Sequence, residues 1–208
     1  ICWGNEVVWT INVTNCGNVP LECVVVLDPL TGFETITANN GAADNTLSAS
    51  GGNTWYVNGA NSGLISGTAP VSFSDFAHLV GGEGNDIFTV TADGSIASLD
   101  ADEGNNTVTV EVGGEVTGAI TTGAGIDAIT VNGCAGSIST GAGNDAIIIN
   151  GGEISGDIVL GDGDDYFEIT GGKVDGDVYG GNGDDEFILT AGIITGCLLY
   201  TSDAADEE

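Results

Sequence analysis

Gly81-Gly82-Glu83-Gly84-Asn85-Asp86 and Gly180-Gly181-Asn182-Gly183-Asp184-Asp185 are the first and last of six turns written to one formula, Gly-x-Gly-x-Asp or a near variant. Between them the last turn residue is Asn106, Asp127, Asp145 and Asp165, so the steps are 20, 21, 18, 20 and 20 residues. Self-similarity at such a period marks a stack of repeated units. Two residues after each turn an apolar pair begins: Phe88/Val90, Val108/Val110, Ile129/Val131, Ile147/Ile149, Phe167/Ile169 and Phe187/Leu189. Alternation with period two places both members of a pair on one face of a strand. Coil over coil, the pairs build one apolar column.

A second half-turn keeps step with the first. Gly94, Gly118, Gly136, Gly156, Gly176 and Gly196 fall about half a coil after the turns, with Ile96, Ile120, Ile138, Ile158 and Val178 two residues later. Val116, Ile154, Val174 and Ile194 stand two residues before the glycine. Each coil is therefore expected to be two short strands joined by two Gly-rich bends. The fold class that follows is all-β: a parallel β-helix or β-roll solenoid with about 20 residues per coil. A lone coil would leave both its ladder edges open, so neighbours must cover it. Regular coils are expected over 80–196. Over 32–79 degenerate coils are expected, because Phe33-Glu34-Thr35-Ile36-Thr37 alternates, Asp44-Asn45-Thr46-Leu47 imitates the later turns and Gly63-Leu64-Ile65-Ser66-Gly67 echoes the half-turn.

Charge narrows the function. Asp and Glu number 31 against one Lys, Lys173, and no Arg, for a net charge of −30. Nucleic acid and anionic membrane are excluded as electrostatic partners. The acids either keep a flat β stack soluble or bind cations. No stretch reads as a signal peptide or a membrane span. The chain opens in mid-strand at Ile1 and contains no Met, as a piece of a longer protein would.

Catalysis has few instruments here. His78 is the only histidine, leaving Ser and Cys without a choice of base. Nothing sets any two of the acids apart as a glycoside-hydrolysing pair. Thr89, Thr107 and Thr130 suggest an outward threonine row, but Ile148, Glu168 and Ile188 interrupt it. Cys134, two residues before Gly136, is expected in the inward slot as a small buried hydrophobe. Cys16 and Cys23 flank a turn and Cys2 competes for either, so their pairing stays open.

The Gly-Gly-x-Gly-x-Asp turns resemble the haemolysin-type calcium-binding repeat, in which stacked turns hold Ca²⁺ between coils through carboxylates and main-chain carbonyls. That resemblance implies Ca²⁺ ligands at Asp86, Asp127, Asp145, Asp164, Asp165, Asp184 and Asp185. Neighbouring strands lie about 4.8 Å apart, where two like charges repel by roughly 0.9 kcal/mol in water and about 3.5 at a dielectric of 20. A hard divalent ion reverses that sign. The other possibility is that these aspartates bond to backbone amides in the turns. Departures from the family are plain: a period near 20 in place of nine, a turn on one edge only, and Asn106 in place of an acid beside Asp102 and Glu103. On the opposite edge Asp157 and Asp177 follow the glycine, whereas Ser95, Ala119 and Ser137 fill that slot in other coils.

Three further resemblances complete the picture. Val7 to Leu21, with Asp28-Pro29 after it, is similar to the small immunoglobulin-like repeat of bacterial surface proteins. Residues 1–31 are thus expected to be a partial sandwich repeat or, alternatively, a plain β cap on the solenoid. Phe73-Ser74 to Leu79-Val80-Gly81-Gly82 resembles the lead-in segment of repeat-rich adhesins, and 32–196 as a whole resembles autotransporter passenger repeats. These imply an extracellular or cell-surface location and a surface ligand, glycan or protein. Residues 197–208 break the repeat and resemble a translated sequencing adapter, so no biology is expected of them. The expected function is a non-catalytic structural or adhesive segment, with a Ca²⁺-dependent folding module as the alternative.

Overall fold

The computed structural model describes residues 9–13, 33–38, 45–67 and 70–200. All regular elements among these residues are β-strands, arranged in two long sheets that wind as a solenoid. Strands Ile87–Val90, Thr107–Val110, Ala128–Val131, Ala146–Ile149, Tyr166–Ile169 and Glu186–Leu189 follow the six turns and pair in parallel, each with the next, without a register slip. This stacks Phe88, Val108, Ile129, Ile147, Phe167 and Phe187 in one column and Val90, Val110, Val131, Ile149, Ile169 and Leu189 in another. Both columns are fully buried until the last coil, where Leu189 is 55% exposed. Trp55 continues the first column upstream and stacks on Phe88 with ring centroids 5.3 Å apart.

The second sheet carries the other half of each coil. Leu47, Leu79, Leu99, Ile120, Ile138, Ile158 and Val178 form one inward column. Ile96, Val116, Ala135, Ile154, Val174 and Ile194 form the next. Bends at Gly156 and Gly176 split the half-coil into two strands, Glu153–Ile154 before Ile158–Asp162 and Lys173–Val174 before Val178–Asn182. These coils thus have three strands where two were expected, whereas Glu115–Thr121 and Cys134–Ala142 each run through the half-coil as one strand.

Local register departs from the sequence reading where a coil is shortened or lacks its glycine. Ile96, grouped with Ile120 by its distance from Gly94, pairs with Val116, and Leu99 pairs with Ile120. Ala97 stands at the half-turn in that coil, so counting from the nearest glycine slipped the register; the slot given to Ser95 belongs to Ser98. Cys134 is exposed, and Ala135 fills the inward slot between Val116 and Ile154. The cause is the 18-residue step from Asp127 to Asp145. Cys134-Ala135-Gly136 reaches its glycine one residue sooner than Glu115-Val116-Thr117-Gly118, and the register shifts there. On the outer face Thr109, not Thr107, lies between Thr89 and Thr130.

Upstream the stack is irregular. Thr46–Ser48 and His78–Val80 pair in parallel like the later coils. Thr54–Gly59, Ser62–Ser66 and Val71–Ser74 form an antiparallel meander in the first sheet, so Gly63 to Ser66 lies in a strand and not at a half-turn. Trp9–Val13 joins the same sheet in parallel with Phe33–Ala38, as a capping strand would. The expectations for the remainder of 1–31, its cysteines included, and for Asp44 fall outside the described residues. At the other end Leu198–Leu199 extends the ladder on Val178 and Tyr179.

Candidate functional site

The turn glycine two residues before each acid sets the geometry. Gly84, Gly104, Gly125, Gly143, Gly163 and Gly183 all have φ between +108° and +145°, and a Cβ on Gly143 or Gly163 would press on the carbonyl oxygen of the glycine one coil back. Only glycine meets both demands. The chain then delivers the following Asp side chain into the coil.

Asp86, Asn106, Asp127, Asp145, Asp165 and Asp185 form one inward column, extended upstream by Asn53, whose neighbour Thr54 pairs with Ile87. Asp86, Asp127, Asp145 and Asp165 are at most 2% exposed. Each side chain receives, on Oδ1, the backbone N–H of its counterpart one coil back. Asn53 N–H donates to Asp86 (2.7 Å), Asp86 to Asn106 (2.9 Å), Asn106 to Asp127 (2.7 Å) and Asp127 to Asp145 (2.9 Å). Asp145 donates to Asp165 (2.8 Å) and Asp165 to Asp185 (3.1 Å). The column replaces ladder bonds that the sharp turn would leave unmade.

The second oxygen behaves differently. Oδ2 of Asp86, Asp127, Asp145, Asp165 and Asp185 is buried with no hydrogen-bond partner. Where the column holds an amide, the corresponding atom is a donor: Asn106 Nδ2 bonds to the carbonyls of Asp102 and Gly104, each at 3.1 Å, and Asn53 Nδ2 to those of Ser50 and Gly51. Burial pushes the Asp165 carboxyl up to about 6, with the charges of Asp145, Asp185 and Asp164 acting the same way. Burial also raises Asp86 and Asp145, against the backbone N–H bonds that each accepts, and it raises Asp185.

A second column lies on the rim. Asn105 N–H donates to Asn85 Oδ1 (2.9 Å), Ile126 to Asn105 (2.8 Å), Asp164 to Asn144 (3.1 Å) and Asp184 to Asp164 (3.0 Å). These bonds run the opposite way, from each coil to the side chain before it. The far bend repeats the device once more, with Asp177 N–H on Asp157 (2.8 Å) and Cys197 N–H on Asp177 (2.7 Å). The seven aspartates expected as metal ligands therefore divide: Asp86, Asp127, Asp145, Asp165 and Asp185 inward, Asp164 and Asp184 on the exposed rim.

Each inward aspartate keeps one oxygen, Oδ2, for which the fold supplies no partner. Ca²⁺ takes 6–8 oxygens at about 2.3–2.6 Å. One oxygen of each carboxyl already accepts an N–H, and the other occupies a position that Asn53 and Asn106 fill with a donor nitrogen. Among the described residues no three His, Cys, Asp or Glu side chains converge to hold a metal ion. His78 Nδ1 lies 2.7 Å from Ser98 Oγ, and Lys173 is paired with Asp175 and, at 3.5 Å, with Glu153.

Two features escaped the sequence reading. Thr122 and Thr140 are buried beside the acid column, their hydroxyls donating to Thr140 O (2.7 Å) and Leu160 O (2.6 Å). Asn53 belongs to the column, although the meander moves it 33 residues from Asp86. Comparison with family models, curated proteins and solved structures finds no match to this chain.

Proposed function

We propose that the chain is a non-catalytic structural segment of a large bacterial surface or secreted protein, a rod that holds a binding region for a glycan or protein away from the cell. The supporting observation is the unbroken register of the first sheet from Ile87–Val90 to Glu186–Leu189. Every coil offers the next the same columns, so length grows by a constant step and stability by nearest-neighbour terms. An acidic surface with one Lys keeps such a rod soluble and unattached to its neighbours.

Deleting residues 146–185 removes two coils and rejoins Asp145 to Glu186. The spacer role predicts a folded chain about 10 Å shorter by solution scattering, at about 4.8 Å per coil. A deletion that abolishes the β circular-dichroism spectrum contradicts it, as does tight glycan or cell binding by the segment itself. The calcium-dependent module implied by the turn resemblance makes a separate statement: chelator would unfold it. A spectrum indifferent to chelator, with no Ca²⁺ uptake, favours the spacer.

A further inference from the structure

We propose that the outer face of the first sheet is a self-association surface, on which two copies of this chain pair side by side. With 31 acids against one Lys, the chain as a whole repels a second copy. The charge that keeps rods apart is missing from this one face. Two rows of outward side chains cross its strands. One runs through Tyr56, Thr89, Thr109, Thr130 and Ile148, and Leu64 and Ser72 carry it on across the meander. The other runs from Thr54 through Ile87 and Thr107 to Ala146. Neither row holds an acid until Glu168 and Glu186, in the next two strands.

The borders follow the same division. The rim beside the face carries Asn85, Asn105, Ile126 and Asn144 before the acids begin at Asp164 and Asp184. On the opposite border, among Thr91, Glu111, Asn132 and Asn150, one residue is charged. Among the described residues before the last coil, the exposed large apolar side chains are Tyr56, Ile87, Val112, Ile126 and Val159. Tyr56, Ile87 and Ile126 belong to this face or its rim.

Charge and size both point to a second copy as the occupant. Two sheets pack face to face at about 10 Å, a distance at which facing acids would repel and facing threonines and isoleucines do not. The face spans seven strands, from Val71–Ser74 to Ala146–Ile149. At about 4.8 Å per strand and about 20 Å across, it covers roughly 700 Å² per copy, or about 1,400 Å² for a pair, within the range of specific interfaces. In a two-fold pair the acids of both rods face outward. This inference goes beyond the spacer reading, and a chain that stays monomeric ends it without touching that reading.

Sedimentation equilibrium of the whole chain, from about 1 µM to about 500 µM and at about 0.05 M and about 0.5 M salt, tests it. A monomer–dimer equilibrium is expected, tighter at high salt because the remaining acids are then screened. Thr109→Glu puts a charge at the centre of the face and is expected to weaken the dimer at least about tenfold. Val159→Glu adds the same charge at an exposed position of the second sheet and should leave the dimer unchanged. Glu168→Thr extends the uncharged row and should tighten it. Circular dichroism confirms that each variant is folded. A chain monomeric throughout, or no gain from Glu168→Thr, overturns the proposal. So does a dimer indifferent to Thr109→Glu, as end-to-end pairing at the exposed Leu189 would be. A monomer whose Thr109 and Thr130 amides shift on adding a soluble neutral glucan overturns it as well.

Discussion

Asn106→Asp places an acid where the column holds an amide, and its cost is set by what Asn106 now does. Its Nδ2 donates to Asp102 O and Gly104 O at 3.1 Å, while its Oδ1 accepts the Asp86 N–H. In acid the substituted Asp carries a proton, keeps one of the two donated bonds and loses the other, for about 1 kcal/mol. At neutral pH the group must hold its proton against solution or enter the column charged. The Asp165 carboxyl, raised from 3.8 to about 6, sets the scale at about 3 kcal/mol more, at 1.36 kcal/mol per unit. The total is about 1 kcal/mol near pH 4 and about 4 kcal/mol near pH 7.5. In melting temperature this is roughly 2–4 °C against 8–16 °C for a chain of this size, read by far-ultraviolet circular dichroism. The exposed acids add a background of the same sign, so the diagnostic is the difference from the unmodified chain at each pH. An equal loss at both ends of the range refutes the reasoning, because it would show that the column does not discriminate between charged and neutral groups.

Three more expectations concern the scaffold. Phe167→Ala, emptying a fully buried position packed 5.9 Å from the Phe187 ring, is expected to cost about 3–5 kcal/mol in denaturant unfolding. Gly143→Ala combines φ +141° with a Cβ driven against Gly125 O and is expected to cost about 3–5 kcal/mol, whereas Gly51→Ala, at φ +75° in open space, should cost about 1 kcal/mol. Cys134→Ser should change stability by less than about 0.5 kcal/mol, and the Cys134 thiol should alkylate in the folded chain, as peptide mass mapping would show.

The turns and the apolar pairs were legible because they obey one period and one alternation: Phe88 to Phe187 stack as their spacing requires. Legibility failed where a coil gained or lost a residue. Nothing in Cys134-Ala135-Gly136 announces which of two small residues points inward; that depends on the register imposed by Val116 and Ile154 on either side. The meander was hidden for a related reason, since its middle strand, Ser62–Ser66, runs the other way between Thr54–Gly59 and Val71–Ser74, which pair in parallel with their outer neighbours as coil strands do. At the candidate site the acid column was visible but its chemistry was not. Asn106 looked like a defect among metal ligands, whereas its donated bonds reveal what the column position accommodates.

Stacking of each turn amide on the next coil's side chain is tested most directly by amide hydrogen exchange, resolved by NMR, at Asp86, Asn106, Asp127, Asp145 and Asp165. These N–H groups sit in Gly-rich turns, yet each is buried and donates to a carboxyl or amide oxygen 2.7–3.1 Å away. Protection matching that of the strand amides of Val108 and Ile129 is the predicted result. Exchange as fast as that of an exposed turn at these five positions would contradict it.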